Sequence, residues 1–313
     1  MRAAAHPPPG LSFVLAVDAW ETARRVVERL AAQTVASRIE VVLVAPSAPG
    51  VTVPAALAAA LGRVTVVEHS PHPIGAARAA GVRAAAGEIV VIGETHVFPE
   101  DDWAEHVLAA HAEGWSAVTP AIVNANPGSV LSAAALHLDY GRFGHGRTRL
   151  LGRVLPRTNA SLTRAALLAL GAGLEARLGP LAELPVPAGG VLHEPAARIA
   201  HLNVDRPLAW ARERYLTGRL VGGARSTTFS PRRRGLYALA APLVAAVIFT
   251  RALRRLEQPA DRAPALIATI GLAAVLQAAG EMVGYATGRL EDAERGMLLY
   301  ELFKWRYATG GPK

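Results

Sequence analysis

The chain has 313 residues, room for one large domain plus an appendage and ample to bury a core. It contains no cysteine, which excludes a disulfide framework, a thiolate nucleophile and Cys-bound zinc while leaving the redox compartment open. Basic residues exceed acidic ones by 33 to 25, and with Lys304 and Lys313 the only lysines the positive charge is almost wholly arginine. The planar fork of arginine suits phosphate, and the scarcity of aromatics among the basic residues argues against nucleic acid and leaves sugar nucleotide or anionic lipid as the phosphate carrier.

Met1 to Gly10 is rich in Ala and Pro, with no apolar stretch of signal-peptide length. It predicts a disordered lead on a chain that is not secreted. From Leu11 to about Pro120, apolar runs at 11–17, 39–45, 64–67 and 88–92 alternate with Ala-rich helical segments. Such alternation predicts a parallel sheet covered on both faces, and Val41 to Val44 reads as a strand buried on both sides. Asn124 to Pro156, rich in Gly, Arg and His, carries no assignable pattern. After Pro207, a helix with Trp210, Arg214 and Tyr215 is predicted to run to Gly222.

The most informative stretch is Gly87 to Trp103, where an apolar strand delivers Glu94 and His96 to its carboxyl end. Open α/β sheets bind ligands at that end, and residues i and i+2 of an extended segment point the same way, so the pair is suited to grip one divalent ion. A solvated polar loop is the alternative reading.

The tail changes character at Pro231. Arg232, Arg233 and Arg234 precede sixteen uncharged residues, Gly235 to Thr250, and Arg251, Arg254 and Arg255 follow them. A second uncharged run extends from Ala263 to Gly280. Spanning a bilayer takes ~20 apolar residues, so both runs sit at or below the limit and are read as short spans, a re-entrant hairpin or helices lying in the interface. Two helices buried on the preceding domain are the alternative. Bracketing cations favour membrane contact at the cytoplasmic face, and two spans would leave both termini cytoplasmic.

Several segments in order resemble the family-2 glycosyltransferases of the GT-A fold. Leu11 to Val17 and the helix ending in Gln33-Thr34 are similar to the family's first strand and helix, and Ile39 to Val44 to its second strand. Ile74-Gly-Ala-Ala-Arg-Ala-Ala-Gly81 is similar to its Gly-x-x-x-Ala-Arg-Asn-x-Gly helix start. Glu94-Thr95-His96 stands where the family carries Asp-x-Asp. Asn159 to Arg164 resembles its acceptor-side Asn-x-x-x-x-Arg segment, and Glu194 to His201 its closing strand with a terminal His. The resemblance implies an α/β, Rossmann-like GT-A domain with a mostly parallel central sheet over 11–225, after a lead at 1–10, with an apolar, membrane-associated helical appendage over 226–313.

By the same resemblance, Glu94, His96 and His201 hold a divalent metal, Mn or Mg, that neutralises a leaving diphosphate. The donor-binding set is Asp18, Ser47, Arg78, Thr95 and Asn159. Asp18 replaces the acid that the family carries after its second strand, where this chain has Ala45-Pro46-Ser47. Arg78 is kept, while the following Asn has become Ala79. The general base of inverting transfer falls to Glu175 or Glu183, in a segment shorter than the family's. The implied activity is inverting transfer of a sugar from a nucleotide-sugar donor to a glycan or lipid-linked acceptor at the cytoplasmic membrane face. Two alternatives stand beside it: a degenerate relative that binds or scaffolds in polysaccharide biosynthesis, and a nucleotidylyltransferase on the same sheet. The missing Gly-rich loop after the first strand, where Asp18 to Glu21 stands, argues against the latter.

Overall fold

The computed structural model describes residues 9–144, 149–152, 154–181, 184–256 and 263–310, so the expected lead lies outside the described residues up to position 8. The elements in order are β1 Leu11–Ala16, α1 Trp20–Ala31, β2 Ile39–Ala45, α2 Ala55–Ala60, β3 Arg63–Glu68, α3 Ile74–Ala84, β4 Ile89–Ile92, β5 Val97–Pro99, α4 Trp103–Ala112, β6 Ala117–Asn124, α5 Val130–Tyr140, β7 Leu150–Gly152, β8 Ser161–Thr163, α6 Arg164–Leu168, α7 Leu174–Arg177, β9 Val191–His201, α8 Pro207–Ser226, α9 Pro231–Leu253, α10 Pro264–Thr287 and α11 Glu291–Phe303. They form two compact units, 1–123 with 145–200, and 124–144 with 201–313.

The first unit is built on a mixed sheet in the order β3-β2-β1-β4-β8-β6-β9-β5, with β7 paired to β9. β1 runs parallel to β2 and β4, and β2 parallel to β3. The short β8 is antiparallel to both β4 and β6, which ends the parallel half of the sheet. Leu11–Ala16 and Ile39–Ala45 are buried along their whole lengths, as their unbroken apolar runs require, whereas β3 alternates because it is the edge. Glu40 is the polar exception inside β2. Its carboxylate is tolerated there because it accepts from the Thr65 hydroxyl and the Ala86 N–H, each at 2.7 Å, and from the Ser12 hydroxyl. Gly81 lets α3 sit directly on the sheet, since a Cβ there would collide with Val14 and Val44. The Gln33-Thr34 pair has a mechanical role: Gln33 donates to the Glu100 carbonyl at 2.7 Å and accepts from Ala104 N–H at 2.9 Å, binding the end of α1 to the start of α4.

The second unit is helical. α10 packs against α8, α9 and α5, and α11 against α8. Four glycines bring α8 and α10 together, because Cβ atoms at Gly218 and Gly222 would strike the carbonyls of Gln277 and Glu281, and at Gly280 and Gly284 those of Tyr215 and Arg219. Beneath α8 lies a charge group in which Arg214, Glu213 and Lys304 are buried and Asp139 reaches solvent: Arg214 donates to both Asp139 oxygens at 2.9 Å and to Glu213 at 3.1 Å, and Lys304 is 3.7 Å from Glu213. Burial alone would raise the Asp139 carboxyl, but the Arg214 guanidinium outweighs it and holds the group below its ordinary value. Asp205 accepts from both the N–H and the hydroxyl of Thr309 at 2.7 Å, which pins the tail. The segment without a readable pattern, 124–156, contributes α5 and β7.

Candidate active site

The chain leaves β4 over Gly93, and the residue type is dictated by space: a Cβ would collide with the Phe13 ring, itself in edge-to-face contact with Trp103 at 5.8 Å. Gly93 N–H still bonds the Val14 carbonyl at 2.9 Å, so the backbone stays in register until the side chain of Glu94 is delivered beyond the sheet. Glu94, Thr95 and His96 are all buried. His96 Nε2 lies 3.8 Å from Glu94 Oε1, too long for a hydrogen bond and within the separation that two ligands of one ion take when each is ~2.0–2.6 Å from it. Thr95 Oγ1 lies 3.5 Å from His96 Nδ1.

Asn159 joins them. Its amide Nδ2 donates to Glu94 Oε2 at 2.6 Å, and its own N–H bonds the Ile92 carbonyl at 2.8 Å. Its backbone is left-handed, with φ of 68°, a conformation that Asn tolerates better than most side chains. Its Oδ1 is buried with no hydrogen-bond partner among the described residues. The loop before β8 therefore holds one carboxylate oxygen of Glu94, leaving the other on the His96 side.

The remaining predicted residues fall out as follows. Asp18, just beyond β1, has a buried Oδ1 without a hydrogen-bond partner among the described residues. Ser47 is exposed and does not cap the short helical turn that follows it. A carboxylate reaches that turn from another strand: Glu68, the last residue of β3 and the register partner of Ala45, accepts from Ala48 N–H at 3.0 Å. Sequence reasoning missed it, although the charged end of Arg63 to Glu68 was its signal. Arg78 is buried on α3 and donates to the Leu178 carbonyl at 3.3 Å. Glu175 is half exposed and pairs with Arg83 at 3.1 Å. Glu183 lies outside the described residues.

His201 is the last residue of β9 and belongs to the second unit. There it is buried, its Nδ1 is 2.9 Å from Asn203 Oδ1, and its ring lies against Tyr140 at 4.8 Å. Asn203 is in turn fixed by Asn124 and Asn126, bonded at 3.0 Å each. The Asn124-Ala-Asn126 and His201-Leu-Asn203 repeats were the readable trace of this network.

Residues 13–169 match the family described as Glycosyl transferase family 2. The chain belongs to that family. Its sheet, parallel through β3-β2-β1-β4 and then mixed, is the GT-A form of the α/β class, with the apolar helices α9 and α10 following it. Among solved structures, S. aureus TarS 1-349 and the same fragment in complex with UDP each align with a TM-score of 0.44 and 14% identity, covering 91% of either chain. That likeness is too distant to transfer function. A search of curated proteins found no match.

Proposed function

We propose that this chain moves a sugar from a nucleotide-sugar donor to a glycan or lipid-linked acceptor, with inversion, using a divalent ion at the cytoplasmic face of a membrane. The observation that carries the reading is the buried Glu94 and His96 pair at the end of β4, with Asn159 fixing the carboxylate. Glu94 and His96 offer two buried ligand atoms, and on the family resemblance we assign the buried imidazole of His201 as the third ligand. One imidazole and one carboxylate in place of two carboxylates fit Mn²⁺ better than Mg²⁺, which favours oxygen ligands. Glu94 and His96 would hold such an ion, which would neutralise the departing diphosphate. The protein's part is orientation: Asn159 sets the Glu94 carboxylate, and the unpartnered Asp18 Oδ1 at the end of β1 is an acceptor for a donor hydroxyl or base N–H. Glu68 supplies the turn after β2 with the acid that residues 45–47 lack. Arg78 and Thr95 complete the donor side, and Ser47, exposed beside that turn, is its outermost member. Because Arg83 engages Glu175, we assign Glu183 as the general base ahead of it.

The membrane part of the proposal is supported by α9 and α10, which are long and apolar enough to cross a bilayer by length and composition.

Titration of the purified chain with Mn²⁺, followed by electron paramagnetic resonance, tests the site without requiring turnover. Glu94→Ala, His96→Ala and His201→Ala should each weaken Mn²⁺ binding by more than the roughly 10- to 100-fold that loss of an outer-shell partner alone causes. Glu183→Gln and Glu175→Gln should leave it unchanged, since a base is not a ligand. Unaltered affinity in the Glu94 and His96 variants would remove the metal from the proposal, and no ion or nucleotide binding by the wild type would place the chain with degenerate binding or scaffold relatives.

A further inference from the structure

Helix α9 exposes an apolar face where a water-soluble helix exposes a polar one. Leu236, Leu239 and Leu243 are 64%, 82% and 72% exposed, and no charge occurs from Gly235 to Thr250. Its other side rests on α10, where Phe249 lies beside Gly271 and Arg234 donates to the Tyr285 and Ala286 carbonyls at 3.1 and 2.6 Å. α10 is in turn sealed onto α8 by the glycine contacts from Gly218 to Gly222 and from Gly280 to Gly284. α8 carries Arg212, Glu213, Arg214, Arg219 and Arg225, a density of charge that no lipid-embedded helix sustains. The three helices are therefore layered, with α10 between α8 and α9. Were α10 to cross a bilayer, α8 would be carried in beside it. The uncharged stretch of α9 is also short, since sixteen residues at ~1.5 Å each give ~24 Å against a hydrocarbon core of ~30 Å.

We propose that α9 lies in the plane of an anionic bilayer surface, its leucine face immersed and its arginines at both ends on lipid phosphates, with neither α9 nor α10 spanning. This rests on the membrane association proposed above. The occupant is assigned by charge: α9 has Arg232, Arg233 and Arg251 among its own residues, Arg254 directly after it, and no acidic residue along its length. An apolar face framed by cations is the complement of acyl chains beneath phosphates.

The full chain should sediment with vesicles of phosphatidylcholine carrying phosphatidylglycerol, and far less with phosphatidylcholine alone. Leu239→Glu with Leu243→Glu should lower the bound fraction at least tenfold, and each of Arg232→Gln and Arg254→Gln should lower it about fivefold. Both leucines are exposed, so circular dichroism of the variant should match the wild type. Orientation is read separately, because a chain without cysteine accepts single reporters. Thr228→Cys and Arg254→Cys, at opposite ends of α9, should both resist an impermeant maleimide in intact spheroplasts and both react after lysis. Reaction of Arg254→Cys in intact spheroplasts would show a span and overturn the in-plane geometry while sparing membrane association. A chain that stays in the supernatant with anionic vesicles overturns both. A detergent-free dimer abolished by Leu239→Glu would make the face an interface between copies and overturn the lipid assignment.

Discussion

At the scale of single residues, the site depends on an amide and a carboxylate held 2.6 Å apart, Asn159 Nδ2 to Glu94 Oε2. Short charge-assisted contacts of this kind fix a carboxylate's direction more firmly than packing does. A second residue-scale feature is thermodynamic. His111 donates from Nδ1 to the Trp115 carbonyl at 2.8 Å and lies 2.9 Å from the Ser161 hydroxyl through Nε2. Burial pushes its imidazole down from 6.5 to about 4, against the opposing pull of the Trp115 carbonyl. The unfolded chain therefore binds the extra proton between those values. The stability contributed by neutral His111 is complete above pH ~6.5 and is lost as pH falls towards 4, by up to about 3 kcal/mol at ~1.4 kcal/mol per pKa unit. Urea unfolding of the wild type at pH 7.5 and 5 should show this slope, and His111→Gln should flatten it; equal slopes in the two chains would refute the assignment. Of the site, the neighbourhood of Glu94 and His96 was legible in the apolar run that precedes them, but not their geometry, because the chain turns at 95–96 after β4 ends at Ile92 instead of staying extended. Asn159's grip on Glu94 was not legible either, since a contact spanning 65 positions leaves no local trace.

At the scale of elements, strands were the most readable. β1, β2 and β4 are buried apolar runs with sharp polar ends, and their predicted limits differ from those of the structure by a residue at most. β7 and β8 were invisible because strands of three residues carry too few side chains to show a period. The helix expected to end at Gly222 continues to Ser226. Gly222 reads as a stop signal, but here it is a contact surface for α10, so packing overrides the local preference. Under the same helix, Arg214 stands between Asp139 and Glu213. Arg214→Met leaves the buried Glu213 carboxylate with only Lys304 nearby and the solvent-accessible Asp139 without its partner. That should destabilise the chain by about 3–5 kcal/mol, the cost of stranding a buried charge, as read from denaturant midpoints. A loss under about 1 kcal/mol would mean that water reaches the group and that the network is not a structural lock.

At the scale of the whole molecule, composition narrowed the chemistry before any fold was known: a cationic charge almost wholly of arginine pointed to phosphate, and the missing cysteines removed whole classes of catalyst. The order of segments then gave the family, which residues 13–169 establish. The second unit was less legible, because 124–144 joins it across a gap in sequence and only packing reveals that α5 lies against α10. Both units serve one central claim, that this is a metal-using transferase whose ion sits on Glu94. The direct test is nucleotide release from a panel of uridine, guanosine and thymidine diphosphate sugars, with the full chain in anionic vesicles. Release should appear with at least one donor, be faster with Mn²⁺ than with Mg²⁺, stop with chelator, and fall by at least about 100-fold in Glu94→Ala. Release that survives both chelation and Glu94→Ala would contradict the account.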